Sequence, residues 1–118
     1  MGGREVGGLA NHLAAHMDIG SAEHRQLVQR FWPSPRIADT LGLKAVDLFD
    51  AIDKGQIKAV WIMATNPAVS LPQSKKIQQA LEKCEFVVVS DCVQQTDTTR
   101  YAHVLLPAQT WGKYKIQV

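Results

Sequence analysis

The stretch Ile57-Lys58-Ala59-Val60-Trp61-Ile62-Met63-Ala64-Thr65-Asn66-Pro67 decides the fold. Up to Ala64 it is β-branched, aromatic and nearly continuous in apolar character. That predicts a strand covered on both faces, as in a parallel sheet. Ser70-Leu71-Pro72-Gln73 follows and reads as a capping box with proline in the first helical turn. Ile77, Ala80, Leu81 and Cys84 then recur at i, i+3, i+4 and i+7, one face of a helix. Glu85 to Val89 is a second apolar strand. The helix between the two strands supplies the crossover of a βαβ unit, which predicts a right-handed parallel pair. His103-Val104-Leu105-Leu106 reads as a third strand, stopped by Pro107. Residues 57–107 are therefore expected to form a βαβ-type core.

Upstream, residues 1–56 read as a loop and helices. Gly2-Gly3-Arg4-Glu5-Val6-Gly7-Gly8 is glycine-rich and reads as a loop that approaches something closely. Leu9 to Met17 is expected to be a short helix, with Leu9, Leu13 and His16 on one face. Ser21 can cap a second helix running to Trp32, with Leu27, Val28 and Phe31 on one stripe and Pro33 and Pro35 beyond its end. A third helix is expected from about Val46 to Lys54, with Gly55 at the position after its cap.

The totals bound the class. The 118 residues, 46% hydrophobic and 20% charged, have ordinary globular composition. A net charge of +2 argues for neither nucleic acid nor an anionic membrane. The apolar runs around Trp61 and Val88 are strand-length, so no membrane span is expected. No basic start followed by an apolar stretch marks a signal peptide, and the cytoplasm is the expected compartment. Cys84 and Cys92, the only cysteines, match no zinc or iron–sulfur spacing and read as free thiols. His12 and His16 are four residues apart but lack the third ligand a zinc site needs, so no metal site is expected in this chain.

Ligands of open parallel sheets bind outside the carboxyl ends of the strands. Two such ends are legible: Thr65-Asn66-Pro67, and Ser90-Asp91 before Cys92. Asn66 offers a donor and an acceptor, and Thr65 and Ser90 offer hydroxyls. Asp91 offers an acceptor pair suited to a guanine N–H edge or to ribose hydroxyls. Thr96, Asp97, Thr98 and Thr99 add a polar turn suited to phosphate or sugar. The same residue types are also what ordinary turns use, and spacing alone does not choose between the two readings. Neither a dinucleotide-binding glycine fingerprint nor a P-loop is present.

Three longer strings carry a resemblance. Trp61-Ile62-Met63-Ala64-Thr65-Asn66-Pro67-Ala68-Val69-Ser70-Leu71-Pro72, Val87-Val88-Val89-Ser90-Asp91, and Ala102-His103-Val104-Leu105-Leu106-Pro107-Ala108 with Trp111-Gly112 resemble the large subunits of molybdopterin oxidoreductases, in the same order. Met1-Gly2-Gly3-Arg4-Glu5-Val6-Gly7-Gly8-Leu9 is similar to the assimilatory nitrate reductase branch. The resemblance implies an incomplete Rossmann-like α/β domain, with residues 1–118 a single partial domain of a longer chain. It implies a molybdenum bis-molybdopterin guanine dinucleotide cofactor, one arm of which meets this piece. Thr65, Asn66, Pro67, Ser90, Asp91, Thr96 and Thr98 are implied as cofactor contacts. Arg4 is implied as the catalytic residue that orients nitrate for reduction to nitrite. An iron–sulfur cluster and the remaining domains are implied outside these residues. The family pattern is left after Gly112, where Lys113 to Val118 departs from it. The alternative is a free-standing small α/β nucleotide-binding or regulatory module without catalysis.

Overall fold

A computed structural model describes residues 5–109. The chain divides into two compact units, Met1–Lys44 and Ala45–Val118.

In the first unit, helix α1 (Ala22–Phe31) begins where the Ser21 hydroxyl accepts the His24 N–H at 3.3 Å, as the capping position predicts. Its Val28 packs with Leu13 and Ile19, and half-buried Met17 and Ile37 close this small core. The helix expected over Leu9–Met17 does not form. Only a single 3₁₀ turn, Ala14–His16, is present, and Ala15 and His16 adopt left-handed backbone at φ 54° and 61°. The reason is backbone crossing. Ala15 N–H donates to Val6 O and Leu13 N–H to Met17 O, bonds a continuous helix would not make. Gly7, at φ 89°, permits this approach, since a Cβ there would lie 2.6 Å from the His16 nitrogen. His12 and His16 therefore do not share a helix face; their rings meet edge to face at 5.9 Å.

In the second unit, helices α2 (Ala45–Asp53), α3 (Pro67–Ser70) and α4 (Ser74–Lys83) accompany strands β1 (Ala59–Met63), β2 (Phe86–Asp91) and β3 (Val104–Pro107). The sheet is parallel throughout, in the order β1-β2-β3. The α/β class, with an open parallel sheet flanked by helices, is as expected. Helix α2 stops by a Schellman motif: Gly55 N–H donates to Ile52 O and Gln56 N–H to Ala51 O, with Gly55 at φ 70°. The crossover differs from the expected single helix. Pro67, not Pro72, opens a helical turn, and Ser70 ends it rather than capping the next. Leu71 is then extended, as a residue before proline prefers, and α4 starts at Ser74.

One face of the sheet is covered. Val87 and Val89 of β2 and Ile62 of β1 pack against Phe49 and Ile52 of α2 and Ile77, Ala80 and Leu81 of α4. The opposite face is not covered among the described residues: Trp61, Met63, Phe86, Val104 and Leu106 are exposed. This corrects the expectation that the strands are buried on both sides. Strand β3 ends at Pro107, its last residue, as expected, and a proline suits a strand at the edge of the described sheet.

Lys76–Asp50, at 2.7 Å, and Lys83–Asp53 tie α4 to α2. The Lys83 hydrogen bond holds the Asp53 carboxyl below its ordinary range, and the Asp50 hydrogen bond raises the Lys76 ammonium above its own. A lowered carboxyl pKa favours the fold above its unfolded value and is lost as pH falls through the folded one. A raised ammonium pKa favours the fold below its unfolded value and is lost as pH rises through the folded one. Both ties thus act together around neutrality. They are solvent-exposed, so each contributes little.

Two outcomes test this arrangement. Leu81→Ala should lower the unfolding free energy by about 2–5 kcal/mol in denaturant titration, whereas Val104→Thr on the open face should change it by no more than about 0.5 kcal/mol. Equal costs would contradict one-sided burial. Asp53→Asn should flatten the acid side of the stability profile below about pH 4.

Candidate functional site at two strand ends

The carboxyl ends of β1 and β2 lie side by side. Met63 is in register with Ser90, and Ala64 N–H donates to Ser90 O at 3.0 Å. Ala64 is left-handed at φ 53°, a strained state for a residue with a Cβ, and it turns the chain into Thr65-Asn66-Pro67.

Asn66 does not present its carbonyl oxygen to solvent. Its Oδ1 accepts the Thr98 N–H at 3.2 Å and the Thr98 hydroxyl at 2.6 Å. The Thr98 oxygen in turn accepts the Ala68 N–H at 3.2 Å. Asn66 sits at the N-cap of α3 without capping it through its own side chain. Thr98, fully buried, caps that turn from 30 residues away. The β1 loop and the polar loop before β3 are thereby fixed to each other. Thr96 and Thr99 form a second closed set: Thr96 N–H donates to Thr99 Oγ1 at 2.7 Å, and Thr99 N–H to Thr96 Oγ1 at 3.1 Å.

Ser90 and Asp91 were expected in a turn and instead complete β2. Successive side chains of a strand point to opposite faces. Ser90 is on the open face, where its Oγ accepts the Trp61 indole N–H at 2.9 Å. Asp91 is on the helix-covered face, where Oδ1 accepts the Val93 N–H at 3.0 Å. Its other carboxylate oxygen has no hydrogen bond among the described residues, nor does the exposed Thr65 hydroxyl. Pro67 is buried and opens the helical turn. A cavity of about 250 Å³ opens beside Thr65, bounded by Trp61, Met63, Ser70 and Leu71. A second, of about 470 Å³, is lined by Gln94, Gln95, Thr96, Asp97, Thr99 and Arg100.

The sequence-predicted residues therefore have different duties: Asn66 and Thr98 tie two loops together, Thr96 and Thr99 bond to each other, and Thr65, Ser90 and Asp91 keep hydrogen-bonding capacity unused among the described residues. Sequence reasoning missed Trp61 as a polar participant, since an aromatic residue in an apolar run reads as core. Arg4 lies outside the described residues. Its neighbour Glu5 lines a larger concavity in the first unit, about 810 Å³, together with Trp32 and His12, whose Nδ1 is occluded without a partner among the described residues. No group of three His, Cys, Asp or Glu able to hold a metal occurs among the described residues. No helix among them is long and apolar enough to cross a membrane.

Comparison with known proteins is consistent across the chain. Residues 2–112 match the molybdopterin oxidoreductase family. The chain is similar to a nitrate reductase of Klebsiella oxytoca, 56% identical over 113 residues that make up 96% of this chain and 13% of that protein. It is similar to a nitrate reductase of Shewanella frigidimarina at 58% over 113 residues, again 96% of this chain and 12% of that protein. A periplasmic nitrate reductase of Desulfovibrio desulfuricans is 35% identical over 113 residues, 93% of this chain and 15% of that protein. The chain thus spans a small part of the length of the relatives it matches.

The Asn66–Thr98 tie is testable by itself. Asn66→Ala leaves the buried Thr98 donors unpaired and should cost about 1–3 kcal/mol. Thr98→Val should cost a similar amount. The double variant should cost much less than the sum of the two, because both remove one network. Additive losses in thermal unfolding would show that the two residues act separately.

Proposed function

The chain belongs to the molybdopterin oxidoreductase family, and from that premise we propose that it is one part of the cofactor-holding domain of a nitrate reductase. Both units are parts of that larger domain. The reaction of the whole protein is the reduction of nitrate to nitrite, in nitrate assimilation and in the cytoplasm.

In this reading the strand ends hold the guanosine arm of a molybdenum bis-molybdopterin guanine dinucleotide. The fit rests on polar groups at the adjoining strand ends that keep unused hydrogen-bonding capacity. The free carboxylate oxygen of Asp91 suits the N–H edge of a guanine, and the hydroxyls of Thr65 and Ser90 suit its carbonyl or a ribose. Asn66, Pro67, Thr96 and Thr98 serve the cofactor by holding its loops in place before it arrives, which limits the ordering cost of binding. When bound, the molybdenum centre supplies the two-electron oxygen-atom transfer. Arg4 supplies charge-assisted hydrogen bonds that attract and orient the anion. The iron–sulfur cluster and the remaining domains belong to the part of the protein outside this chain. The single observation that carries the reading is the pairing of the two strand ends, Met63 against Ser90, with Asp91 beside them. The exposed face of Trp61, Met63 and Phe86 speaks against a free-standing module, which would bury it.

Calorimetric titration of the chain with GDP tests this proposal. Weak binding is expected, since the rest of the site is elsewhere. Asp91→Ala should weaken it at least about tenfold, the loss of a charged hydrogen-bond acceptor. Equal binding by both proteins, or none by the wild type, would overturn the guanosine assignment.

A further inference from the structure

The hydroxyls at the strand ends are not equally available. Thr98 donates to Asn66 and accepts from Ala68, and it is fully buried, so its hydroxyl hydrogen is not available to a ligand. Thr96 and Thr99 are tied to each other. Ser90 differs. A serine hydroxyl has one donor hydrogen and two acceptor lone pairs, whereas an indole N–H can only donate. The Trp61 N–H at 2.9 Å therefore occupies one lone pair of Ser90 Oγ and leaves its hydrogen uncommitted among the described residues. The geometry that permits this is diagonal. Trp61 is in register with Val88 and Met63 with Ser90, so the indole must reach one pair further along the same face, a distance open to large aromatic side chains.

We propose that Trp61 is a positioning residue that fixes Ser90 as a hydrogen-bond donor toward the bound ligand. This deepens the guanosine reading and rests on it. The Ser90 hydroxyl, with its acceptor side engaged by Trp61, turns its hydrogen to an acceptor atom of the ligand, a purine carbonyl or a ribose oxygen. Asp91, the next residue of the strand, points to the opposite face, so the donor that Trp61 positions acts from the open face alone. Within this chain Trp61 is 58% exposed and lies outside the buried core.

The test uses GDP as the probe and the chain as it stands. Trp61→Phe keeps an aromatic ring and removes the N–H; Ser90→Ala removes its partner. Before ligand is added, the Trp61 indole N–H signal in nitrogen–proton NMR should shift in Ser90→Ala, and its exchange with solvent should quicken. Trp61→Phe should weaken GDP binding about three- to tenfold, the worth of one net hydrogen bond, with an unchanged melting temperature. The double variant should bind no more weakly than Ser90→Ala alone. An indole signal indifferent to Ser90→Ala, GDP affinity in Trp61→Phe equal to wild type, or additive losses would overturn the positioning role while the guanosine site stands. Absence of GDP binding by the wild-type chain would overturn the guanosine reading itself, and the ligand role of Ser90 with it.

Discussion

Asn66 Oδ1 accepts both the amide and the hydroxyl of Thr98, and the Thr98 oxygen receives the Ala68 amide. This small network joins the exit of the first strand to the loop that precedes the third. Without it the α3 turn would begin with an unpaired buried amide. With it, the exit of β1 and the loop before β3 are held to each other through Asn66 Oδ1 and Thr98. A buried network of this kind is stable only when every member is satisfied. Here each polar atom of Thr98 has a partner.

That division of labour separates residues that look equivalent on paper. Asn66, Thr65, Ser90, Asp91 and Thr98 all have the chemistry of a nucleotide contact. The network commits Asn66 Oδ1 and Thr98 to each other and leaves Thr65, Ser90 and Asp91 outside it. The strained left-handed turn at Ala64 belongs to the same arrangement. It brings the chain from a strand paired with β2 directly into the Asn66–Pro67 corner.

Much of the fold was legible because it depends on local rules. The apolar runs at Trp61 and Val88 located the first two strands, and the spacing of Ile77, Ala80 and Leu81 located the buried face of α4. Gly55 marked the end of α2. What was not legible depends on distant partners. Nothing near Asn66 announces that its acceptor is taken by a residue 32 positions away. Ser90 and Asp91 read as a turn because the apolar run stops at Val89, yet pairing with β1 and β3 carries the strand two residues further and sends their side chains to opposite faces. The Leu9, Leu13 and His16 spacing satisfied a helix, but the chain around Gly7 crosses back on itself and takes those backbone bonds. The hydrogen bond from Trp61 to Ser90 was hidden by the usual equation of tryptophan with core.

The open face of the sheet and the closed strand-end network fit one account, in which a part of a larger enzyme carries a ready-made grip for one arm of its cofactor. The most direct measurement is an amide chemical-shift map of the chain during titration with GDP. The account predicts that the largest shifts fall at Thr65, Asn66, Ser90 and Asp91, with the buried residues of α2 and α4 unaffected. Shifts centred on any other surface, or none at saturating GDP, would contradict it.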